Sequence, residues 1–158
     1  MSRETTARRR VGADMQDKYN LERFVKAQEN SYPQALREMK NGMKSSHWMW
    51  YIFPQIEGLG RTETARFFSI HSMEEAKAYL AHPILGKNLR EISAVLLEIE
   101  SNDAERVMGF PDNLKLCSSM TLFSLADPDE AVFEAVLDKF YGGKKDRRTI
   151  EILQRGGV

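Results

Sequence analysis

The stretch of this chain that says most about its fold is Lys44-Ser45-Ser46-His47-Trp48-Met49-Trp50-Tyr51-Ile52-Phe53-Pro54-Gln55. It holds both tryptophans and one of the three histidines. We expect the apolar residues 48–53 to be buried, because that much aromatic surface in water would promote aggregation. Polar residues flank them on both sides, so the stretch is predicted to be either an anchor in the core or one wall of a pocket.

Helical spacing of apolar residues dominates the first half of the chain around this stretch. Asn20 is a suitable N-cap for a first helix, Pro33 is expected to open a second helix, and Asn41-Gly42 is the expected stop. Residues 48–53 fit either a buried strand or a short helix, and we favour the helix because serines before them offer an N-cap and Pro54 ends the run. Residues 62–68 are predicted to form another short helix.

Capping signals mark the helices of the second half. Ser72 and Glu75 form a capping box, and Asp112 is expected to cap a later helix. Gly142-Gly143 is expected to end another. No run of alternating polar and apolar residues predicts a sheet. The sequence therefore predicts a mainly α fold, a single compact multi-helix domain with about seven to nine helices and little or no sheet.

The N-terminal residues 1–19 lie outside the predicted helices. They carry Arg8-Arg9-Arg10 and lack the apolar run of a secretory signal, so they are predicted to form a disordered tail. We therefore expect one helical domain over residues 20–155, which is long enough to bury a core without disulfides or metals.

Composition limits the class of protein and its partners. Lysines plus arginines equal aspartates plus glutamates, 23 of each, whereas a protein devoted to binding duplex nucleic acid is usually basic. The one cysteine, Cys117, allows neither an internal disulfide nor a thiolate metal cluster, which fits a reducing cytoplasm. No segment reaches the roughly 18 apolar residues that span a membrane. We expect a cytoplasmic monomer or weak dimer without a metal or other cofactor, which binds neither membranes nor duplex nucleic acid.

Five stretches, taken in their order along the chain, resemble a bacterial family of small, mainly helical proteins of unknown function. These stretches are Leu21-Glu22-Arg23-Phe24-Val25-Lys26-Ala27-Gln28, Ser46-His47-Trp48-Met49-Trp50-Tyr51-Ile52-Phe53-Pro54-Gln55, Gly58-Leu59-Gly60-Arg61, Ala81-His82-Pro83-Ile84-Leu85-Gly86 and Asp112-Asn113-Leu114-Lys115-Leu116-Cys117-Ser118-Ser119-Met120-Thr121-Leu122-Phe123. The resemblance covers about residues 20–153 and implies a small, mostly helical fold, without an established activity or catalytic residues. Some genomes label this family calpastatin-like, although calpastatin inhibitory regions are disordered and repetitive and this chain is neither.

Two segments of the sequence carry residues that can bind an anion. The helix after Asp112 has a partly positive N-terminus, and Lys115, Ser118 and Ser119 follow the three- and four-residue spacing of one helix face. In Gly58-Leu59-Gly60-Arg61, the glycines let the backbone approach a ligand, and the guanidinium can bind a phosphate or carboxylate. The structural alternative is a capped helix with packed serines in the first case and a plain turn in the second.

The aromatic stretch is the third piece. Trp48 and Trp50 either stack on a base or nicotinamide ring or anchor the core. His47, Lys115 and Ser119 are the catalytic candidates, but a base needs a hydroxyl within hydrogen-bond reach, and this partner must come from elsewhere in the fold. The alternative for His47 is a histidine at the edge of the core.

These pieces predict a domain that binds a small anionic ligand, a nucleotide or an ADP-ribose-like molecule. The pocket is expected between residues 47–55, residues 58–61 and the helix after Asp112. The expected ligand-binding residues are His47, Trp48, Trp50, Gln55, Gly58, Gly60, Arg61, Asp112, Lys115, Ser118 and Ser119. One alternative is a non-catalytic protein–protein interaction module with a tryptophan in an exposed apolar patch. Another is a hydrolase or transferase that acts on a phosphorylated ligand with His47 and Lys115.

Overall fold

The computed structural model describes residues 17–156, and these residues form nine helices. In chain order the helices are α1 (Glu22–Lys40), α2 (Met49–Ile52), α3 (Glu63–Phe67), α4 (Met73–Ala81), α5 (Leu85–Leu97), α6 (Ala104–Met108), α7 (Asp112–Ala126), α8 (Ala131–Tyr141) and α9 (Arg147–Gly156). Sheet pairing in this part of the chain amounts to one isolated parallel bridge between Ile56 and Ile70. The predicted mainly α, single-domain fold is confirmed. None of the nine helices is both long and apolar enough to cross a membrane.

A chain of aromatic rings runs through the core and joins four of the helices. Phe24 of α1 packs edge-on against Tyr79 of α4, with the ring centroids 5.1 Å apart. The Tyr79 ring lies 5.3 Å from that of Phe123 in α7, which lies 6.0 Å from that of Phe133 in α8. All four side chains are buried. Rings of this size contribute a large share of the hydrophobic free energy of folding.

α1 is one continuous helix, so the prediction that Pro33 opens a second helix is wrong. Proline lacks the N–H group that would complete the helical hydrogen bond, and it usually kinks or ends a helix. Here Pro33 faces solvent, while the helix buries Phe24 before it and Met39 after it. Because core packing acts on both sides of the proline, it offsets the lost hydrogen bond and keeps the two halves aligned.

The predicted helix ends agree with the structure in part. As expected, the Ser72 hydroxyl accepts a hydrogen bond from the Glu75 amide at 3.0 Å, and Gly142 ends α8 with a φ of +63°. Asp112, however, does not cap α7 with its side chain, because the helix begins at this residue. Its carboxylate instead lies 2.8 Å from the ammonium group of Lys44.

Residues 1–16 of the predicted tail lie outside the described residues, whereas residues 17–19 lie within them. The Asp17 carboxylate accepts a hydrogen bond from the Leu21 amide at 2.6 Å. The Tyr19 ring packs against the core. These two side chains therefore take part in the start of α1.

A buried ion pair determines where the segment after α3 lies. Arg23 of α1 and Glu75 of α4 approach at 2.8 Å, and their side chains are only 4% and 2% exposed. The same guanidinium donates to the backbone oxygens of Phe67 and Ser69, both at 2.7 Å. A buried pair of this kind holds its partners firmly, because removing one partner leaves an uncompensated charge. Residues 67–69 are thus fixed against α1.

Candidate functional site

The three predicted pieces of the ligand site meet at one cleft of about 280 Å³, which we call the Trp50 cleft. The expected ligand-binding residues that line it come from all three pieces and are Trp50, Gln55, Gly60, Arg61 and Lys115. Met49 of the predicted aromatic stretch also lines the cleft. The walls of the cleft are completed by side chains that were not named in the prediction, namely Ile56, Thr62, Ala65, Phe68 and Ser69. Among the described residues, the lining thus includes two cations and no carboxylate.

One wall of the cleft is a closed loop, residues 56–70. Its two ends are joined by backbone hydrogen bonds: the Glu57 amide donates to the Ile70 oxygen, and the Ile70 amide donates to the Gln55 oxygen, both at 2.8 Å. The ion pair of Arg23 holds the last part of the same loop. The loop is therefore anchored at its base and near its end, and it gives the cleft a fixed wall.

The tip of this loop brings Arg61 to the cleft. The Thr62 hydroxyl caps α3 by accepting a hydrogen bond from the Ala65 amide at 3.1 Å. A Cβ atom at Gly60 would lie 2.5 Å from the Cβ atom of Ala65, so the loop can approach α3 this closely only with glycine there. Arg61 is exposed and forms no ion pair with another described residue. Its guanidinium is therefore available to a phosphate or carboxylate.

The buried carboxylate of Glu38 attaches the aromatic stretch to α1. One of its oxygens accepts hydrogen bonds from the amides of Ser45 (2.8 Å) and Ser46 (3.0 Å) and from the Trp48 indole (2.8 Å). Burial by itself raises the pKa of this carboxyl, but the hydrogen bonds from Ser46, Ser45 and the other donors lower the pKa to about 2. Trp48 is 1% exposed, so it is an anchor in the core and not a wall of the cleft.

A line of charges connects α7 to the aromatic stretch. Lys44 Nζ lies 2.8 Å from Asp112 Oδ2, and Lys115 Nζ lies 3.7 Å from Asp112 Oδ1. Lys115 Nζ also lies 5.6 Å from the centroid of the Trp50 ring, within cation–π range. Asp112 is therefore neutralised mainly by Lys44, whose side chain is 7% exposed. It orients Lys115 and does not itself line the cleft.

The remaining expected site residues lie away from the cleft lining. His47 is exposed, and its ring forms no hydrogen bond with a described residue. A side chain at Gly58 would contact α9. The Ser118 hydroxyl donates to the Asp146 carboxylate at 3.0 Å, while Ser119 is fully buried and its hydroxyl has no hydrogen-bond partner among residues 17–156. The same residues contain no group of three or more His, Cys, Asp or Glu side chains that could hold a metal ion.

The sequence pattern did not identify the apolar wall that Ile56 and Phe68 contribute to the cleft. Helical spacing predicted α3. Spacing does not determine where the flanking loops place a short helix in the fold. The one weak signal for this wall was the pair Gly58 and Gly60. Two glycines so close together indicate a tight loop, and a tight loop brings the residues before and after it near one another.

The interaction-module alternative expects a tryptophan in an exposed apolar patch. Trp48 is buried and Trp50 is half-buried. The large apolar side chains that are exposed in the described part of the chain are Met43, Phe67, Ile84, Phe110 and Leu114. This alternative stays a prediction. An interaction surface on the described part of the chain would not contain a fully exposed tryptophan.

The cleft lies within the part of the chain that matches a known family. Residues 18–153 match the family described as "Protein of unknown function (DUF1810)". The chain is also similar to the conserved hypothetical protein Rv1873 from Mycobacterium tuberculosis, whose crystal structure was determined at 1.38 Å, with 45% sequence identity and a TM-score of 0.86. That similarity covers 87% of this chain and 99% of the other. No match is found among the curated proteins. The resemblance to a family of unknown function is thus confirmed, and this chain belongs to the family described as protein of unknown function (DUF1810).

Proposed function

We propose that this chain binds a small anionic ligand, a nucleotide or an ADP-ribose-like molecule, in the Trp50 cleft. The observation that supports the proposal most is that three separate segments contribute an aromatic ring, a Gly-Arg loop and a lysine to one concave site. Ligand sites are usually concave and mostly apolar, with a few polar groups that orient the ligand. The lining of the Trp50 cleft has this composition.

The charges around the cleft support an anion as the ligand. The Arg61 guanidinium offers parallel donors that match the oxygens of a phosphate or carboxylate, and Lys115 adds a second positive charge. Among the described residues, Lys115 forms an ion pair with Asp112, which is already paired with Lys44 at 2.8 Å. An anion that enters the cleft therefore meets two cations and little opposing charge.

Binding without a chemical step is the simpler proposal. A general base acts on a hydroxyl within hydrogen-bond reach, and the rings and ammonium groups of His47 and Lys115 have no hydroxyl partner among the described residues. A hydrolase or transferase would have to obtain that hydroxyl from its ligand. We place the binding in the cytoplasm, in keeping with a chain that has a single cysteine, and we expect a monomer or weak dimer.

The two cations of the cleft provide the test. We expect Arg61→Ala and Lys115→Ala to leave the free energy of unfolding within roughly 0.5 kcal/mol of the wild-type value, because Arg61 is exposed and the 3.7 Å pair of Lys115 with Asp112 is a long contact at a partly exposed position. A ligand at about 100 times its Kd stabilises the wild-type protein by about 2.7 kcal/mol. Both variants should lose most of this stabilisation. Thermal melts with and without a panel of nucleotides and ADP-ribose measure it.

Arg148→Ala and Lys87→Ala are matched controls, because both residues are exposed, lie outside the cleft and form no ion pair with another described residue. These controls should keep the full ligand-induced increase in Tm. The proposal is contradicted if Arg61→Ala and Lys115→Ala also keep it, or if Lys115→Ala unfolds the protein and thereby shows a structural role.

A further inference from the structure

We infer that the ligand of the Trp50 cleft is a phosphate monoester of nucleoside monophosphate size, with one planar ring system and one phosphate. This inference rests on the proposed function and narrows it, because it excludes dinucleotides and ADP-ribose-like molecules as preferred ligands. Size, charge and the nature of the walls each lead to it.

The size of the cleft favours a ligand with one phosphate. Its volume of about 280 Å³ lies just below the range of about 300–1,000 Å³ in which proteins enclose drug-sized ligands. The loop wall cannot easily move outwards, because backbone hydrogen bonds at Glu57 and Ile70 close its base. Within the loop, Gly60 packs so closely against Ala65 of α3 that a Cβ atom at Gly60 would lie 2.5 Å from the Ala65 Cβ atom, so the loop is also tightly packed internally. A second sugar and phosphate would remain in solvent.

The charge of the cleft matches one phosphate monoester. A monoester carries a charge of about −1.5 to −2 at neutral pH, since its second pKa is near 6. Arg61 and Lys115 supply two positive charges, and the described lining includes no third cation. Lys44, the next lysine along the line of charges, is bound to Asp112 and is nearly buried. The second phosphate of a diphosphate would therefore lack a cationic partner in the cleft.

The walls of the cleft include aromatic side chains on which a planar ring can stack beside the phosphate. Trp50 is half-buried, and Phe68 adds a second aromatic side chain to the lining. Stacking of a base on an aromatic side chain contributes about 1–3 kcal/mol to binding. Lys115 Nζ lies 5.6 Å from the Trp50 centroid, so a phosphate bound by this ammonium lies close to a ring that contacts the indole. The Gln55 amide, which offers one donor group and one acceptor, can pair with the edge of that ring.

Isothermal titration of the whole 158-residue chain with AMP, GMP, CMP and UMP, their diphosphates, ADP-ribose and inorganic phosphate tests the inference. The best monophosphate should bind about ten-fold or more tightly than its own diphosphate and than ADP-ribose, and much more tightly than inorganic phosphate. If ADP-ribose or a diphosphate binds as tightly as the best monophosphate, the inference is wrong while the proposed function survives. If none of these compounds binds, both are wrong.

Gln55→Glu provides a second readout that does not depend on stability. This variant places a carboxylate in the cleft, so it should weaken binding of the best monophosphate by about ten-fold or more while the melting temperature without ligand stays close to that of the wild type. Gln154→Glu is the matched control, because this glutamine is exposed on α9 and lies outside the Trp50 cleft. Equal affinity of Gln55→Glu and wild type would show that the anion does not bind in the cleft that Gln55 lines, and it would overturn the inference.

Discussion

Replacing Trp48 by alanine should lower the free energy of unfolding by about 3–5 kcal/mol, the usual cost of truncating a buried aromatic residue. The Trp48 side chain is 1% exposed, and its indole N–H donates to the buried carboxylate of Glu38 at 2.8 Å. The variant would leave both a cavity and a carboxylate with one donor fewer. Trp50→Ala should cost only about 1–2 kcal/mol, because this side chain is half-buried and forms part of an open cleft.

Urea unfolding of both variants beside the wild type measures the difference between the two tryptophans. Sequence alone treats them alike, since they stand two residues apart in the same apolar stretch. Equal costs for the two truncations would show that Trp50 is as much a part of the core as Trp48, and the cleft would then lose its aromatic wall.

Acid should destabilise the protein in a way that depends on Glu38. The pKa of this carboxyl is about 2 in the folded state against 4.5 for an ordinary glutamate. A lowered pKa means that the stabilising contribution is present above pH 4.5 and is lost as the pH falls through the folded value. The shift corresponds to a contribution of up to about 3 kcal/mol at neutral pH. Glu38→Gln should therefore be much less stable than the wild type at pH 7, and the difference should shrink towards pH 2.

Urea unfolding of wild type and Glu38→Gln at several pH values gives this difference directly, because the titration of all other carboxyls cancels. Glu29→Gln is the matched control, since Glu29 is exposed on the same helix. The difference between Glu29→Gln and wild type should stay flat with pH. A flat difference for Glu38→Gln as well would show that its hydrogen bonds do not hold the aromatic stretch in place.

Local signals in the sequence were sufficient for most of the helices. Ser72 and Gly142 act on atoms a few residues away, so their effect on a helix end can be predicted from their immediate neighbours. The prediction that Pro33 opens a second helix was wrong for the opposite reason. The continuity of α1 depends on residues of other helices, which bury its inner face. Asp112 likewise does not cap α7 and instead pairs with Lys44. These two residues are far apart in the sequence, so no local pattern shows their contact.

The candidate site was predictable to a similar degree. Residue chemistry was enough to select Trp50, Arg61 and Lys115, which the structure brings to one cleft. It could not say what surrounds each side of the helix after Asp112. Successive residues on a helix point about 100° apart, so Ser118 and Ser119 cannot face the same partner. The first contacts Asp146, the residue before α9, and the second lies in the core.

The two indole N–H groups of this protein give the most direct test of ligand binding in the Trp50 cleft, because the chain has two tryptophans and only Trp50 lines the cleft. Their signals in a ¹⁵N–¹H correlation spectrum can be assigned with a Trp50→Phe variant and followed while the best-binding monophosphate is added. We expect the Trp50 signal to shift to saturation while the Trp48 signal, held by Glu38 in the core, moves little. A Trp50 signal that stays unchanged while calorimetry records binding would place the ligand elsewhere and contradict the proposed site.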